Sequence, residues 1–179
     1  MAPAYGGNMK KKQREFTPVA IAILTVSDTR DHQNDRSGQT LVELATEAGH
    51  TLVDRQLVED NRYAIRAIVS SWIAAPSVQA IVLTGGTGFA ERDVTPEAIS
   101  VLLDQTIPGF GELFRQLSYP TIGSSTLQSR ALAGVANGTL VAALPGSPGA
   151  CRDGWNGILA DQLDVRHAPC NLAEQLLGL

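Results

Sequence analysis

Four short apolar runs recur along the chain: "PVAIAILTV" at 18–26, "TLVDRQLV" at 51–58, "VQAIVLT" at 78–84 and "TLVAALP" at 139–145. Each is followed by a polar loop and then by a segment of helical spacing. This alternation constrains the fold more than any other feature. Runs this short and rich in β-branched residues suit buried strands, and connections long enough to hold a helix suit parallel neighbours. The expectation is an α/β fold: a single domain with a mostly parallel sheet flanked by helices.

The intervening segments carry the helix signals. Leu41, Leu44, Ala45 and Ala48 form one stripe, with Ser37 as its start and Gly49 as its stop. Asn61 is placed to cap a helix whose Ile65, Ile68, Val69, Trp72 and Ile73 share a face, and Pro76 ends it. In "TPEAISVLLDQT", Thr95 is the expected cap and Pro96 sits where its missing N–H is not needed. Phe110, Leu113, Phe114 and Leu117 mark a further helix, and "SSTLQSRALAGV" and "CRDGWNGILADQLD" are also read as helical.

At 179 residues and 44% apolar content, the chain can close one substantial core. The domain is set at 17–179, with residues 1–16 as a disordered N-terminal tail. That tail has a lysine cluster but lacks the apolar segment and cleavage site of a secretory signal. No apolar run approaches the ~20 residues of a membrane span, so no membrane partner is expected. Two cysteines without a signal peptide suit a reduced, cytoplasmic protein, although Cys151 and Cys170 could form one bridge.

Charge divides along the chain. Four Lys or Arg against Glu15 give the first sixteen residues a net +3, whereas ten Arg against seventeen Asp or Glu give the remainder −7. An acidic body argues against nucleic-acid binding. The lysines stop at Lys12, which removes both a P-loop lysine and a Schiff base from the domain's chemistry. Any anion must be held by arginine, backbone N–H groups or a metal ion.

In an open parallel sheet, ligands bind beyond the carboxyl ends of the strands. Four polar clusters fall there: Ser27 with Asp28, then Asp60, "GGTGFAERD" at 85–93, and "PGSPG" at 145–149. The glycine loop is neither a P-loop nor G-x-G-x-x-G, which excludes the standard nucleotide fingerprints. Gly85, Gly86 and Gly88 can turn N–H groups inward as an anion nest, and Thr87 adds a hydroxyl. From glycine alone, a tight turn is an equal alternative, but a turn does not need Arg92 and Asp93.

Taken singly, Asp93 reads as a residue favouring a helix dipole and Asp60 as a turn residue. Together, at adjacent strand ends beside a nest, they form a pair able to hold Mg²⁺ with substrate phosphate. Pro145 and Pro148 rigidify a turn in which Gly146 and Ser147 can offer polar groups to a ligand. Arg115 and Arg130 are weaker anion candidates on expected helices. His32, His50 and His167 have no ligand spacing, and Ser147 lacks the setting of a hydrolase nucleophile.

Several segments together, "AILTVSD", "LVEDNRYAIRA", "TGGTGFAERDVTPEA", "GFGELFRQLS", "STLQSRALAGVANGTLVAALPGSP" and "PCN", resemble the MoaB/MogA family of molybdenum cofactor biosynthesis proteins. The likeness runs from about residue 18 to 172. It implies a MogA-like molybdopterin-binding fold, assembled as a homotrimer or homohexamer, in contact with other molybdenum cofactor enzymes. It also implies a reaction: molybdopterin and ATP, with Mg²⁺, give adenylyl-molybdopterin and pyrophosphate. The family's two functional aspartates fall on Asp60 and Asp93, as catalytic and metal-positioning residues. Gly85, Gly86, Thr87 and Gly88 would cradle phosphate, while Ser27, Pro145, Gly146 and Ser147 would line the pterin or nucleotide pocket. "TLQSRALAGVANGTL" and "ACRDGW" resemble the B-type branch, which implies the alternative of a non-catalytic molybdopterin-binding carrier.

Overall fold

The computed structural model describes residues 14–179. Its centre is a six-stranded sheet of order β2-β1-β3-β6-β5-β4. Strands β1 (Ala20–Val26), β2 (Thr51–Val58), β3 (Ala80–Thr84) and β6 (Thr139–Leu144) are mutually parallel. β5 (Leu132–Ala136) and the short β4 (Gln105–Thr106) add an antiparallel flank. The expected mostly parallel α/β domain is therefore present, with all four anticipated strands side by side.

Helices cover both faces because the central strands are apolar on both. From one face, Ile21, Ile23, Val82, Leu140 and Leu144 meet Leu41 and Ala45 of α1 (Arg36–Glu47) and Phe110 and Phe114 of α4 (Pro108–Ile122). Trp155 and Leu159 complete this layer; they lie in a π turn joining α5 (Pro148–Gly154) to α6 (Ala160–Gln162). From the other face, Leu24, Ile81, Leu83 and Val141 meet Ile65, Val69 and Trp72 of α2 (Arg62–Ile73) and Ile99 of α3 (Thr95–Ile99). A last short helix, α7 (Ala173–Leu176), follows the loop carrying Cys170. Among the described residues no helix is long and apolar enough to cross a membrane. Cys151 and Cys170 are both free thiols.

Four local expectations need correction. The segment read as a helix at 124–135 is instead a 3₁₀ turn, Gly123–Gln128, followed by β5. The reason lies downstream: Asn137 and Gly138 both take positive φ, 49° and 77°, and fold β5 back on β6 as a two-residue hairpin. Helix α1 is capped by Asp35 rather than Ser37, the Asp35 carboxylate accepting the Gly38 N–H. Thr95 is not a cap either, because its hydroxyl is committed to the Gly85 carbonyl. Its helix ends early in a 3₁₀ turn, Ser100–Leu102, since Gln105 and Thr106 pair with β5.

Asn61 does cap α2, accepting N–H groups from Tyr63 and Ala64. Of the segment expected to be a disordered tail, residues 1–13 lie outside the described residues. Arg14 pairs with Glu174, and Phe16 packs on His50 with ring centroids 5.3 Å apart.

The topology also places the ligand crevice. From β1 the chain moves to β2 on one side and then to β3 on the other, so the loops after β1 and β3 part at their carboxyl ends. Such a switch point is where open α/β sheets bind ligands.

Candidate active site

A cleft of about 560 Å³ opens at that point. It gathers Ser27, Asp28, Asp60, Gly85, Gly86, Thr87, Gly88, Arg92, Asp93, Pro145, Gly146 and Ser147, the sequence-predicted residues except Pro148. Pro148 is instead the first residue of α5, behind Ser147, whose hydroxyl caps that helix by accepting the Ala150 N–H at 3.1 Å.

The glycine loop is shaped by where its carbonyls point. Gly85 and Gly86 adopt φ of +106° and +62°, conformations natural to glycine. The Thr95 hydroxyl donates to the Gly85 carbonyl at 2.9 Å, and the Thr95 N–H to the Gly86 carbonyl at 3.0 Å. Across a trans peptide the N–H points opposite to the C=O, so the N–H groups of Gly86 and Thr87 face away from α3. The N–H groups of Gly86, Thr87, Gly88 and Phe89 have no hydrogen-bond partner among the described residues. Consecutive free donors of this kind form an anion-binding concavity.

Bare glycine has a second use here. A Cβ on Gly86 would stand 2.6 Å from Asp60 Oδ1, and one on Gly88 would stand 2.7 Å from Asp93 Oδ2. The loop thus makes room for both carboxylates against its backbone. Gly86→Ala, which combines positive φ with that clash, is expected to weaken binding of inorganic pyrophosphate about tenfold, measured by calorimetric titration. Unchanged affinity would separate the loop's shape from ligand binding.

Asp60 carries the unusual electrostatics. Burial pushes its carboxyl above the ordinary value; the charges of Asp28 and Asp93 add to this, and Arg92 opposes them. Its Oδ1 is buried without a hydrogen-bond partner, while its N–H donates to Asp28 Oδ1 at 2.9 Å. Asp93 Oδ2 accepts the Ala90 N–H at 2.9 Å. An orphaned carboxylate oxygen among like charges fits a divalent cation. However, the described residues hold no group of three or more His, Cys, Asp or Glu able to bind one alone. The donor set suits Mg²⁺ shared with phosphate oxygens and water rather than a closed protein cage.

Other wall residues escaped the sequence reading. Arg30 lines the cleft and ties the 145–149 turn to the start of α1, Nη2 donating to the Gly146 carbonyl at 2.6 Å and Nη1 to the Ser37 hydroxyl. Phe114, Ser118, Thr121, Ile122, Ser125, Gln128 and Ser129 form a further wall from α4 and the turn after it. The hydroxyl-rich string "GSSTLQS" was a signal for it, but reading that string as a helix hid its place. Arg115 and Arg130 do not line the cleft. Arg115 donates to the Ser129 carbonyl, and Arg130 reaches the outer side of the glycine loop. Cys151 lies buried beneath the "PGSPG" turn beside the Thr84 hydroxyl, its thiol pushed up to about 11 by burial, which makes it unreactive.

Comparison with known proteins accords with this geometry. A family model described as "Probable molybdopterin binding domain" matches residues 22–165. Molybdenum cofactor biosynthesis protein B of Escherichia coli (strain K12) is 55% identical over 168 residues, spanning 94% of this chain and 99% of the relative. A crystal structure of a molybdenum cofactor biosynthesis protein B superposes with a TM-score of 0.81 at 42% identity, over 84% of this chain and 94% of that one. The molybdopterin biosynthesis Mog protein from Mycobacterium ulcerans superposes with a TM-score of 0.77 at 31% identity, over 88% of this chain and 99% of that one. With a matching fold, a matching family model and relatives aligned over nearly their full length, the chain belongs to the MoaB/MogA family of molybdenum cofactor biosynthesis proteins.

Proposed function

We propose that the protein acts in molybdenum cofactor biosynthesis as a molybdopterin adenylyltransferase, joining molybdopterin to the adenylyl group of ATP with release of pyrophosphate. A terminal phosphate oxygen of molybdopterin attacks the α-phosphorus of ATP, and the bond from that phosphorus to the bridging oxygen breaks. No protein atom enters a covalent bond. The observation that carries this reading is the free N–H row of the glycine loop set against two carboxylates, one with an orphaned oxygen.

Reactions of this class are catalysed chiefly by alignment and charge neutralisation. In this reading the N–H groups of Gly86, Thr87 and Gly88 hold phosphate oxygens, and Arg92 adds positive charge at the cleft wall. Asp60 and Asp93 would hold Mg²⁺, which when bound supplies charge neutralisation on the polyphosphate. Ser27, Asp28, Pro145, Gly146, Ser147 and Pro148 belong to the walls and turn around the pterin or nucleotide. Assembly as a homotrimer or homohexamer forms part of the proposal, and exposed Leu113, Ile122 and Leu127 provide apolar surface for it.

Purified protein given molybdopterin, ATP and Mg²⁺ is expected to release pyrophosphate, and Asp93→Asn to lower the rate at least 100-fold. Ligand binding without release would reject the enzyme reading. A second reading, a molybdopterin-binding carrier, is motivated by the segments "TLQSRALAGVANGTL" and "ACRDGW", which resemble the B-type branch. It predicts tight pterin binding with no ATP-dependent turnover and little effect of Asp60→Asn on that binding.

A further inference from the structure

We propose that Arg130 is the positioning residue of the phosphate loop, holding it from outside so that its N–H donors face the cleft. This rests on the reading that the loop receives a phosphate group.

Arg130 lies in the segment entering β5, yet five of its contacts, four of them polar, fall on the stretch from Thr87 to Glu97. Its own N–H donates to the Thr87 carbonyl at 3.2 Å, and Nε donates to the Gly88 carbonyl at 2.8 Å. Nη2 donates to the Asp93 carbonyl at 2.6 Å, and Nη1 pairs with Glu97 Oε1. The Phe89 ring, itself 70% exposed, stands 5.3 Å from the guanidinium carbon.

Peptide planarity turns these contacts into orientation. Drawing the Thr87 and Gly88 carbonyls towards Arg130 points the N–H groups of Gly88 and Phe89 the opposite way. Thr95 does the same for the two preceding peptides, so four successive carbonyls are tethered outside and four successive N–H groups are left free. The bond to the Asp93 carbonyl also fixes the backbone from which that carboxylate projects. Each guanidinium nitrogen has a partner on this stretch and Arg130 does not line the cleft, so it serves the anion through the loop rather than by touching it. A lysine could not replace it, because one ammonium centre cannot reach two carbonyls and a carboxylate in a single plane.

A merely structural ion pair at this half-exposed position would move stability slightly and binding not at all. The test uses the full ¹⁵N-labelled chain, titrated with inorganic pyrophosphate in the presence of Mg²⁺. In the parent, the amides of Gly86, Thr87, Gly88 and Phe89 should shift together. In Arg130→Gln the Phe89 response should disappear and affinity fall about tenfold, whereas Gly88, whose preceding carbonyl keeps the backbone N–H of residue 130, and the Thr95-tethered pair still respond. Arg130→Lys should behave like Arg130→Gln. If Arg130→Gln loses its dispersed spectrum, Glu97→Gln, which removes only the partner charge, should reduce the Phe89 response about threefold.

Unchanged shifts and affinity in the folded variants would overturn the proposal, as would a parent loop that does not respond to pyrophosphate. Because binding is read without turnover, failure of adenylyl transfer with an intact amide response would reject the proposed reaction and leave the clamp standing.

Discussion

Asp60→Asn is expected to lower pyrophosphate release by about 10²–10³-fold while leaving molybdopterin binding within about threefold of the parent. The asymmetry follows from where the carboxylate sits. Its Oδ1 is buried, unpartnered and set against Gly86, and in the proposed reaction it would share a cation with the polyphosphate being cleaved. Asparagine keeps the shape and loses the charge.

The same substitution should not harm the fold. Burial foremost, then Asp28 and Asp93, holds the Asp60 carboxyl above its ordinary value in the folded state. A raised carboxyl contributes stability only at pH below the ordinary carboxylate range, and loses it as pH rises through the folded value. At neutral pH the charge is therefore a burden, and Asp60→Asn should melt at the parent temperature or on the order of 2 °C above it. The difference should vanish as pH falls below the ordinary carboxylate range, where Asp60 is protonated in the parent. A clear fall in melting temperature at neutral pH would contradict this account of the site.

The largest stability effect is expected at Asp35. Its carboxylate, almost fully buried, accepts from the Thr25 hydroxyl at 2.7 Å, the Gly38 N–H at 2.9 Å and Arg55 at 3.1 Å. Asp35→Ala removes a helix cap, leaves the Thr25 hydroxyl without its acceptor, and takes the charged partner from a mostly buried guanidinium that keeps only Gln39 Oε1 and the residue-35 carbonyl. A cap alone is worth about 1 kcal/mol. Breaking a buried pair costs about 3–5 kcal/mol, which in a domain of this size lowers the melting temperature by roughly 10 °C.

The pH dependence has the opposite sign to that of Asp60. Burial, the largest influence, pushes the Asp35 carboxyl up, but the bonds from Thr25 and Gly38 and the Arg55 charge together outweigh it and hold it below the ordinary value. Its stabilisation is therefore present above the ordinary carboxylate range and is lost as pH falls through the lowered value. Parent and variant should converge in acid. A loss below about 1 kcal/mol at neutral pH would mean that Asp35 acts as a cap only.

How much of this was legible in the sequence can be argued residue by residue. The parallel core was legible because strands buried on both faces appear as unbroken apolar runs. The carboxyl-end loops were legible because topology alone places them. The antiparallel flank was not, although "VANGTL" contains an Asn-Gly hairpin signal: the helical spacing in "SSTLQSRALAGV" competed with it, and pairing with β6 decided the outcome. Asp35 was overlooked for Ser37 because either residue type can cap a helix, and only the tertiary partners Thr25 and Arg55 distinguish them. Arg30 and Arg130 were illegible for a related reason. The bonds that tie them to the site loops go to backbone carbonyls far along the chain, which leave no pattern in side-chain identity.

The central claim is that the carboxylate pair and the glycine loop perform adenylyl transfer rather than ligand storage. Its most direct test follows the label of [α-³²P]ATP in a reaction of the wild-type chain with molybdopterin and Mg²⁺. The account predicts that label moves into an adenylyl-molybdopterin product in step with pyrophosphate release, and that Asp60→Asn slows both by about 10²–10³-fold. Molybdopterin bound to the protein while all label stays in ATP would contradict it.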